Sequence, residues 1–215
     1  MGMIDVIGKD GAVFDKPFDA WGEAYSLYCP IQAAGIKARL HLPVVCGVPG
    51  GCYLAFYIGF NSDIEAGVSR ADKFAHKWDV FMNAKPVSKD PSADFRRPTT
   101  HTLTGHTHEL ELYLEDGKAC FDVDGHNMDW VFWKKNKPLP YVKMTIAASD
   151  TRNGFYDKVA FKALSVTIPD AKATAPAIPK GWVRHRAHGP KLNTYRMSVP
   201  SIDPKSYGNT LTKGE

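Results

Sequence analysis

The densest group of chemistry-bearing side chains is His106-Thr107-His108-Glu109-Leu110-Glu111-Leu112-Tyr113-Leu114-Glu115. Histidines spaced by one residue on a strand share a face and can supply two metal ligands. Alternating glutamates can accept hydrogen bonds from hydroxyls or work as a paired acid and base. The segment alternates polar and apolar residues, turns at Asp116-Gly117 and alternates again through residues 118–123. An Asp-Gly pair tolerates the positive φ angles of a tight hairpin. Leu110, Leu112 and Leu114 mark the buried side, which His106 and His108 share by parity. Glu109, Glu111 and Tyr113 then face outward, where carboxylates and an aromatic ring suit sugar binding. One apparent cluster is therefore two groups on opposite faces of a strand.

Two further groups carry possible chemistry. His101 becomes a third imidazole beside His106 and His108 if the chain reverses at Gly105. No cofactor is expected beyond that candidate divalent metal, which is weighed against histidines that cap the end of a sheet. Residues 63–70 and 77–83 read as neighbouring strands that offer Glu65, Arg70, Trp78 and Asn83 to a groove. An exposed Trp78 would be a sugar platform, whereas a buried one would be core. Trp130 and Trp133, with Lys134, Lys135 and Lys137, are placed in a loop after Asp124-Gly125.

These side chains need strands to position them. Strand signals recur at residues 36–42, 52–60, 63–70, 77–83, 97–103, 106–115, 118–123, 141–148 and 158–168, with turn residues between them. No comparably long window repeats apolar residues at helical spacing; residues 69–76 offer one or two turns at most. The pattern predicts an all-β, jelly-roll-like antiparallel β-sandwich with a C-terminal extension. The expected division is a sandwich domain over residues 1–169, then a Pro-containing linker and basic extension over 170–215. The extension either wraps over the domain, anchored by Trp182, or stays free.

With 44% hydrophobic and 12% aromatic residues in 215, the chain has ample material for a packed core. The net charge of +4 hides an asymmetry. From Ala171 onward eight basic residues face two acidic ones, giving +6, and the remaining 19 basic and 21 acidic residues give −2. Such a tail either meets an anionic partner or docks on its own acidic body. No apolar run approaches the ~20 residues needed to span a bilayer. The N-terminus lacks the basic start and apolar core of a secretory signal. Cys46 and Cys52 bracket a Gly-rich loop, and a disulfide between them would indicate an exported protein; small buried thiols are the alternative. We expect the disulfide, and with it an extracellular or cell-surface location.

The hairpin Leu112-Tyr113-Leu114-Glu115-Asp116-Gly117-Lys118, followed by Phe121-Asp122-Val123-Asp124-Gly125, resembles the recurrent hairpin of concanavalin A-like (lectin/glucanase-type) sandwiches. Val159-Ala160-Phe161-Lys162-Ala163-Leu164-Ser165-Val166 is similar to their closing strand, so the resemblance covers about residues 20 to 169. It implies a fold whose members often bind or cleave carbohydrate on one curved sheet. The chain departs from two catalytic patterns of such sandwiches. Family-16-type glucanases carry Glu-x-Asp-x-(x)-Glu, whereas Glu109-Leu110-Glu111-Leu112-Tyr113-Leu114-Glu115 has Glu111 in place of the Asp and its last carboxylate two residues late. The Arg-x-Glu-Leu and Gln-Ile-His strands of alginate-lyase-like sandwiches are also absent.

Gly-x-Gly-x-x-Gly, Walker-type and Gly-x-Ser-x-Gly motifs are missing, which argues against nucleotide-dependent and serine-hydrolase chemistry. The net-negative body and the lack of a standard motif argue against nucleic acid. The sequence predicts a lectin-like protein that binds a glycan or polysaccharide through Glu109, Glu111, Tyr113, Glu65, Arg70 and Trp78. The first alternative is a polysaccharide-active enzyme, a glycoside hydrolase or lyase. The second is a structural or assembly protein, in which the tail contributes to an oligomer.

Overall fold

The computed structural model describes residues 4–6, 12–14, 23–42, 53–61, 63–71, 78–84, 95–104, 106–133, 138–148, 160–168 and 182–188. Side chains are described for most of these; residues 4–6, 12–14, 23–25, 53–54, 70–71, 95–100, 148, 160 and 184–188 are described as backbone alone.

Fourteen strands are formed by these residues: β1 (Ile4–Val6), β2 (Ala12–Phe14), β3 (Glu23–Gln32), β4 (Gly35–His41), β5 (Tyr53–Phe60), β6 (Ile64–Ala71), β7 (Trp78–Ala84), β8 (Phe95–Leu103), β9 (Thr107–Glu115), β10 (Lys118–Val123), β11 (His126–Phe132), β12 (Tyr141–Ala148), β13 (Ala160–Thr167) and β14 (Val183–His188). They make two antiparallel seven-stranded sheets. Sheet A runs β1-β2-β13-β4-β9-β10-β11 and sheet B runs β14-β3-β12-β5-β6-β7-β8. No helix occurs among the described residues. The protein is a jelly-roll-like antiparallel β-sandwich, as its alternation predicts.

The core lies between the sheets. From sheet A it takes Ile36, Leu40, Leu110, Leu112, Phe121, Phe161 and Val166; from sheet B it takes Phe56, Ile58, Phe60, Val68, Trp78, Val142 and Ile146. Phe56 is the hub, with ring centroids 5.7 Å from Trp78 and 6.3 Å from Phe161. Each fully buried large side chain contributes roughly 1.5–3 kcal/mol of transfer free energy. The β9–β10 hairpin turns at Asp116 (φ 47°) and Gly117 (φ 74°), and β10–β11 turns at Asp124 (φ 52°) and Gly125 (φ 76°). Both pairs adopt the left-handed conformation that their sequence permits.

Two segments differ from their expected form. His126–Phe132, expected as a loop, is edge strand β11 of sheet A, and Trp130 pairs in register with Cys120. Trp133, expected in the same loop, closes one end of the core with its ring 5.7 Å from that of Phe60. Polar residues within this strand hide its alternation, while the Asp124-Gly125 turn dictates an immediate return of the chain. In the basic extension, Val183–His188 pairs antiparallel with β3, and Trp182 packs against the core. Cys46, Cys52, the side chain of Arg70, Lys134, Lys135, Lys137 and the stretches 169–181 and 189–215 lie outside the described residues. Cys29 and Cys120 are free, buried thiols, and burial pushes the Cys29 thiol up to about 12.

Candidate functional site

The outward positions of sheet A form one open face. Strand register aligns them in rows, because residues directly opposite each other point the same way. One row reads Asn127, Asp122, Glu111 and Lys37 across β11, β10, β9 and β4. The next reads Trp130, Cys120, Tyr113 and Gly35 on the same four strands. Lys37 Nζ lies 3.1 Å from Glu111 and 3.9 Å from Glu109, and Arg39 Nη2 donates to Glu109 Oε1 at 2.7 Å. These half-exposed pairs contribute roughly 0.2–1 kcal/mol each. The hydrogen bond to Glu111 also holds the Lys37 ammonium above its usual range. Tyr113 Oη donates to Asp122 Oδ2 at 3.2 Å, and burial together with the Asp122 charge pushes its phenol up to about 12. The cations Lys37, Arg39, Lys118 and Lys162 are balanced on this face by Glu109, Glu111, Glu115 and Asp122.

The expected parity of β9 holds: Leu110 and Leu112 are buried and Glu109, Glu111 and Tyr113 face out. His108 sits at the wet end of the inner face. Its Nδ1 lies 2.7 Å from Asp124 Oδ2 and its Nε2 3.0 Å from the Thr104 carbonyl oxygen, so both ring nitrogens face protein acceptors. His101 and His106 are exposed, and no group of three or more His, Cys, Asp or Glu placed to hold a metal ion occurs among the described residues. Burial pushes the Asp124 carboxyl up, but hydrogen bonds from His108 and from the Glu109 N–H outweigh this and hold it below its usual 3.8. Its stabilisation is present above that usual value and is lost as pH falls through the folded-state pKa. Asp124→Asn is expected to cost ~1 kcal/mol at neutral pH, as a half-exposed charge-assisted bond should. Urea denaturation at pH 7 and at pH 3 measures this, and the gap to the unaltered protein should narrow in acid.

Sheet B behaves differently, because its outward face is largely covered as well. Ser26, Tyr28, Ala55, Tyr57, Ser69, Phe81, Lys143, Thr145 and Ala147 point away from the core and are all buried. One polar row crosses the sheet at a single level: Tyr28 on β3, Lys143 on β12, Gly59 on β5, Glu65 on β6 and Asn83 on β7. The Lys143 side chain passes over Gly59, and its Nζ donates to Glu65 Oε1 at 2.6 Å. A Cβ at Gly59 would lie 2.7 Å from Lys143 Cε, so the absent side chain is what leaves the lysine its path. The ammonium also stands 5.9 Å from the Tyr28 ring centroid and 5.5 Å from that of Tyr57. Burial works most strongly against its charge, but Glu65 and Tyr28 together outweigh burial and hold the ammonium above its usual value. Burial lifts the Tyr28 phenol against the pull of Lys143.

The row is fully buried at Lys143 and Tyr28 and part-exposed at Glu65 and Asn83. Two of its atoms, the Tyr28 hydroxyl and Asn83 Oδ1, are buried without a well-formed hydrogen bond. The next level of the face places Tyr57, Gly67 and Phe81 together, with the Tyr57 and Phe81 rings edge to face at 6.0 Å. The whole face thus joins a buried ion pair, two unanswered polar atoms and an aromatic pair.

The structure divides the sequence-derived site set. Glu109, Glu111 and Tyr113 lie on the outer face of sheet A, whereas Glu65 lies on the outer face of sheet B, across the core. Trp78, expected to be available to a groove, is 1% exposed and points into the core, because on β7 it shares parity with Val80 and Met82. Sequence reasoning missed Lys143 and Tyr28. The one available signal was a lone lysine inside the apolar run Tyr141-Val142-Lys143-Met144-Thr145-Ile146. Along β6 the outward positions are Glu65, Gly67 and Ser69.

No protein-family model matches the chain, and no curated protein matches it. Solved structures match it in fold. The apo Crh5 transglycosylase is 8% identical, with 79% of each chain covered and a TM-score of 0.48. SCLam, a non-specific endo-beta-1,3(4)-glucanase from family GH16, is 12% identical over 72% of this chain and 70% of its own, with a TM-score of 0.46. The laminarinase from Flavobacterium sp. UMI-01 is 13% identical over 68% of this chain and 78% of its own, with a TM-score of 0.41. At these values the likeness is one of fold alone.

Proposed function

We propose that this protein is polysaccharide-active and engages a glycan chain along the polar row of sheet B. The observation that carries the reading is Asn83 Oδ1, a buried polar atom without a hydrogen bond at the part-exposed end of the row, beside the Lys143–Glu65 ion pair. An unsatisfied buried polar group costs about 1–3 kcal/mol, so its retention points to a partner supplied from outside. Sugar hydroxyls both donate and accept. They can donate to Asn83 Oδ1 and approach Glu65, the two part-exposed members of the row. Titratable groups with perturbed protonation in one cluster favour chemistry over passive binding. In that role Glu65 is the carboxyl group positioned by its hydrogen bond from Lys143. The substrate class fits a protein that works outside the cell or at its surface.

A screen of polysaccharides for binding and for release of reducing ends tests this. The unaltered protein should bind or cut at least one neutral polysaccharide. Glu65→Gln should reduce the release of reducing ends at least a hundredfold while the fold is retained, and Asn83→Ala should weaken binding about tenfold. Equal activity of Glu65→Gln and the unaltered protein would overturn the assignment.

The lectin-like reading keeps one specific observation in its favour, the solvent-facing aromatics of sheet A. Trp130 is 40% exposed and Phe132 69% exposed.

A further inference from the structure

Trp130 and Phe132 are the two large hydrophobic residues left exposed among the described residues, and they stand side by side on β11. Neither has collapsed onto the sheet. Lys118 Nζ lies over the Trp130 ring at 4.3 Å from its centroid, and Phe132 meets the same ring edge to face at 5.1 Å. The indole is therefore held by two neighbours while it keeps substantial exposure. A rotamer fixed in this way loses little entropy when a ligand stacks on it.

Register extends this patch along a row. Trp130 pairs with Cys120, Cys120 with Tyr113, and Tyr113 with Gly35. Trp130 and Tyr113 thus stand two strand spacings apart, roughly 10 Å. Such a spacing lets an extended chain stack on alternate sugars. Gly35 continues the row without a side chain, because a Cβ there would already meet Tyr113 Cβ at 3.2 Å. The parallel row beside it is polar: Asn127 Nδ2 donates to Asp122 Oδ1 at 2.9 Å, and Glu111 is held by Lys37. We propose that this face, the outer face of sheet A, is a second glycan site that takes an uncharged polysaccharide chain, with Trp130, Phe132 and Tyr113 as stacking rings and Asp122, Asn127 and Glu111 as hydroxyl partners.

Charge complementarity selects the occupant. Among the described residues four cations and four anions balance on this face, and several are already paired with each other, so these residues offer no surplus charge to an anionic or cationic polymer. A second copy of the chain fits less well. A stable protein interface buries about 800 Å² per partner. Here that would desolvate the Lys37–Glu111 and Arg39–Glu109 pairs around a patch of only two exposed aromatics. A hydroxyl-rich ligand stacks on the rings and leaves those pairs wet. The site lies across the core from the row of sheet B and does not rest on it.

Affinity electrophoresis of the full chain through gels containing a neutral β-glucan, a mannan, a xylan or an acidic alginate tests this, with size-exclusion chromatography alongside. The unaltered protein should be retarded by at least one neutral polysaccharide. The Trp130→Ala/Phe132→Ala variant should lose affinity at least tenfold with an unchanged thermal transition, and Trp130→Phe should lose less. Glu65→Gln should keep this component of binding. Retardation of the double variant equal to that of the unaltered protein would overturn the site while leaving the row of sheet B standing. Retardation by alginate alone, or a dimer that the double variant dissociates, would also overturn it.

Discussion

Lys143→Met should lower the stability of the folded protein by ~3–5 kcal/mol, the usual cost of removing one partner from a buried ion pair. Lys143 is 0% exposed and Glu65 22% exposed, so the abandoned carboxylate is only partly rescued by water. The double variant Lys143→Met/Glu65→Leu should recover more than half of the loss, because it leaves no orphan charge. Denaturation in urea measures both. A loss below ~1 kcal/mol for the single variant would show that the pair is not buried as described. The pH dependence has a definite sign. The folded-state pKa of Lys143 is raised, so its stabilisation is complete below the ordinary lysine value of 10.5 and is lost as pH rises through the folded pKa. The gap between the unaltered protein and Lys143→Met should therefore close on the alkaline side.

Gly67→Ala should be comparably damaging for a reason unrelated to charge. A Cβ at this position would collide with the Phe56 carbonyl oxygen and lie 2.6 Å from Tyr57 Cα. Those are backbone atoms of the neighbouring strand and cannot step aside as a side-chain tip would. Overpacking by a methyl costs roughly 1–3 kcal/mol where neighbours can shift, and here the upper end or beyond is expected. Gly125→Asn is the useful contrast. Gly125 has φ 76° but nothing within 4 Å of a Cβ, and Asn tolerates that conformation. Its cost should stay below ~1 kcal/mol. Thermal unfolding of the two variants side by side reads the difference, and equal losses would contradict the close approach of β5 and β6.

Much of the fold is legible in the sequence because alternation and turn chemistry agree. The Asp116-Gly117 and Asp124-Gly125 pairs mark turns that the structure makes, and the leucines of β9 give the face assignment of Glu109, Glu111 and Tyr113. Five strands were hidden for different reasons, and Ile4–Val6 and Ala12–Phe14, at three residues each, are too short to show a period. Glu23–Gln32 is covered on both faces and carries a proline, so it shows no alternation. His126–Phe132 has an Asn and an Asp inside it and exposed aromatics on the side where polar residues are expected. Val183–His188 lies beyond a proline-rich stretch, in a segment whose basic charge masks its period. The polar row of sheet B was less accessible still. Tyr28, Lys143, Glu65 and Asn83 come from four strands far apart in sequence, and only cross-strand register brings them to one level. Sequence spacing finds ligands on one strand; it cannot find a row perpendicular to the strands.

The most direct test of the central reading is a crystal structure of the protein soaked with a neutral oligosaccharide that it binds. The polar row predicts sugar hydroxyls within hydrogen-bond distance of Asn83 Oδ1, with the ring approaching Glu65. An ordered sugar found only elsewhere on the molecule, with Asn83 Oδ1 still unpartnered, would contradict it.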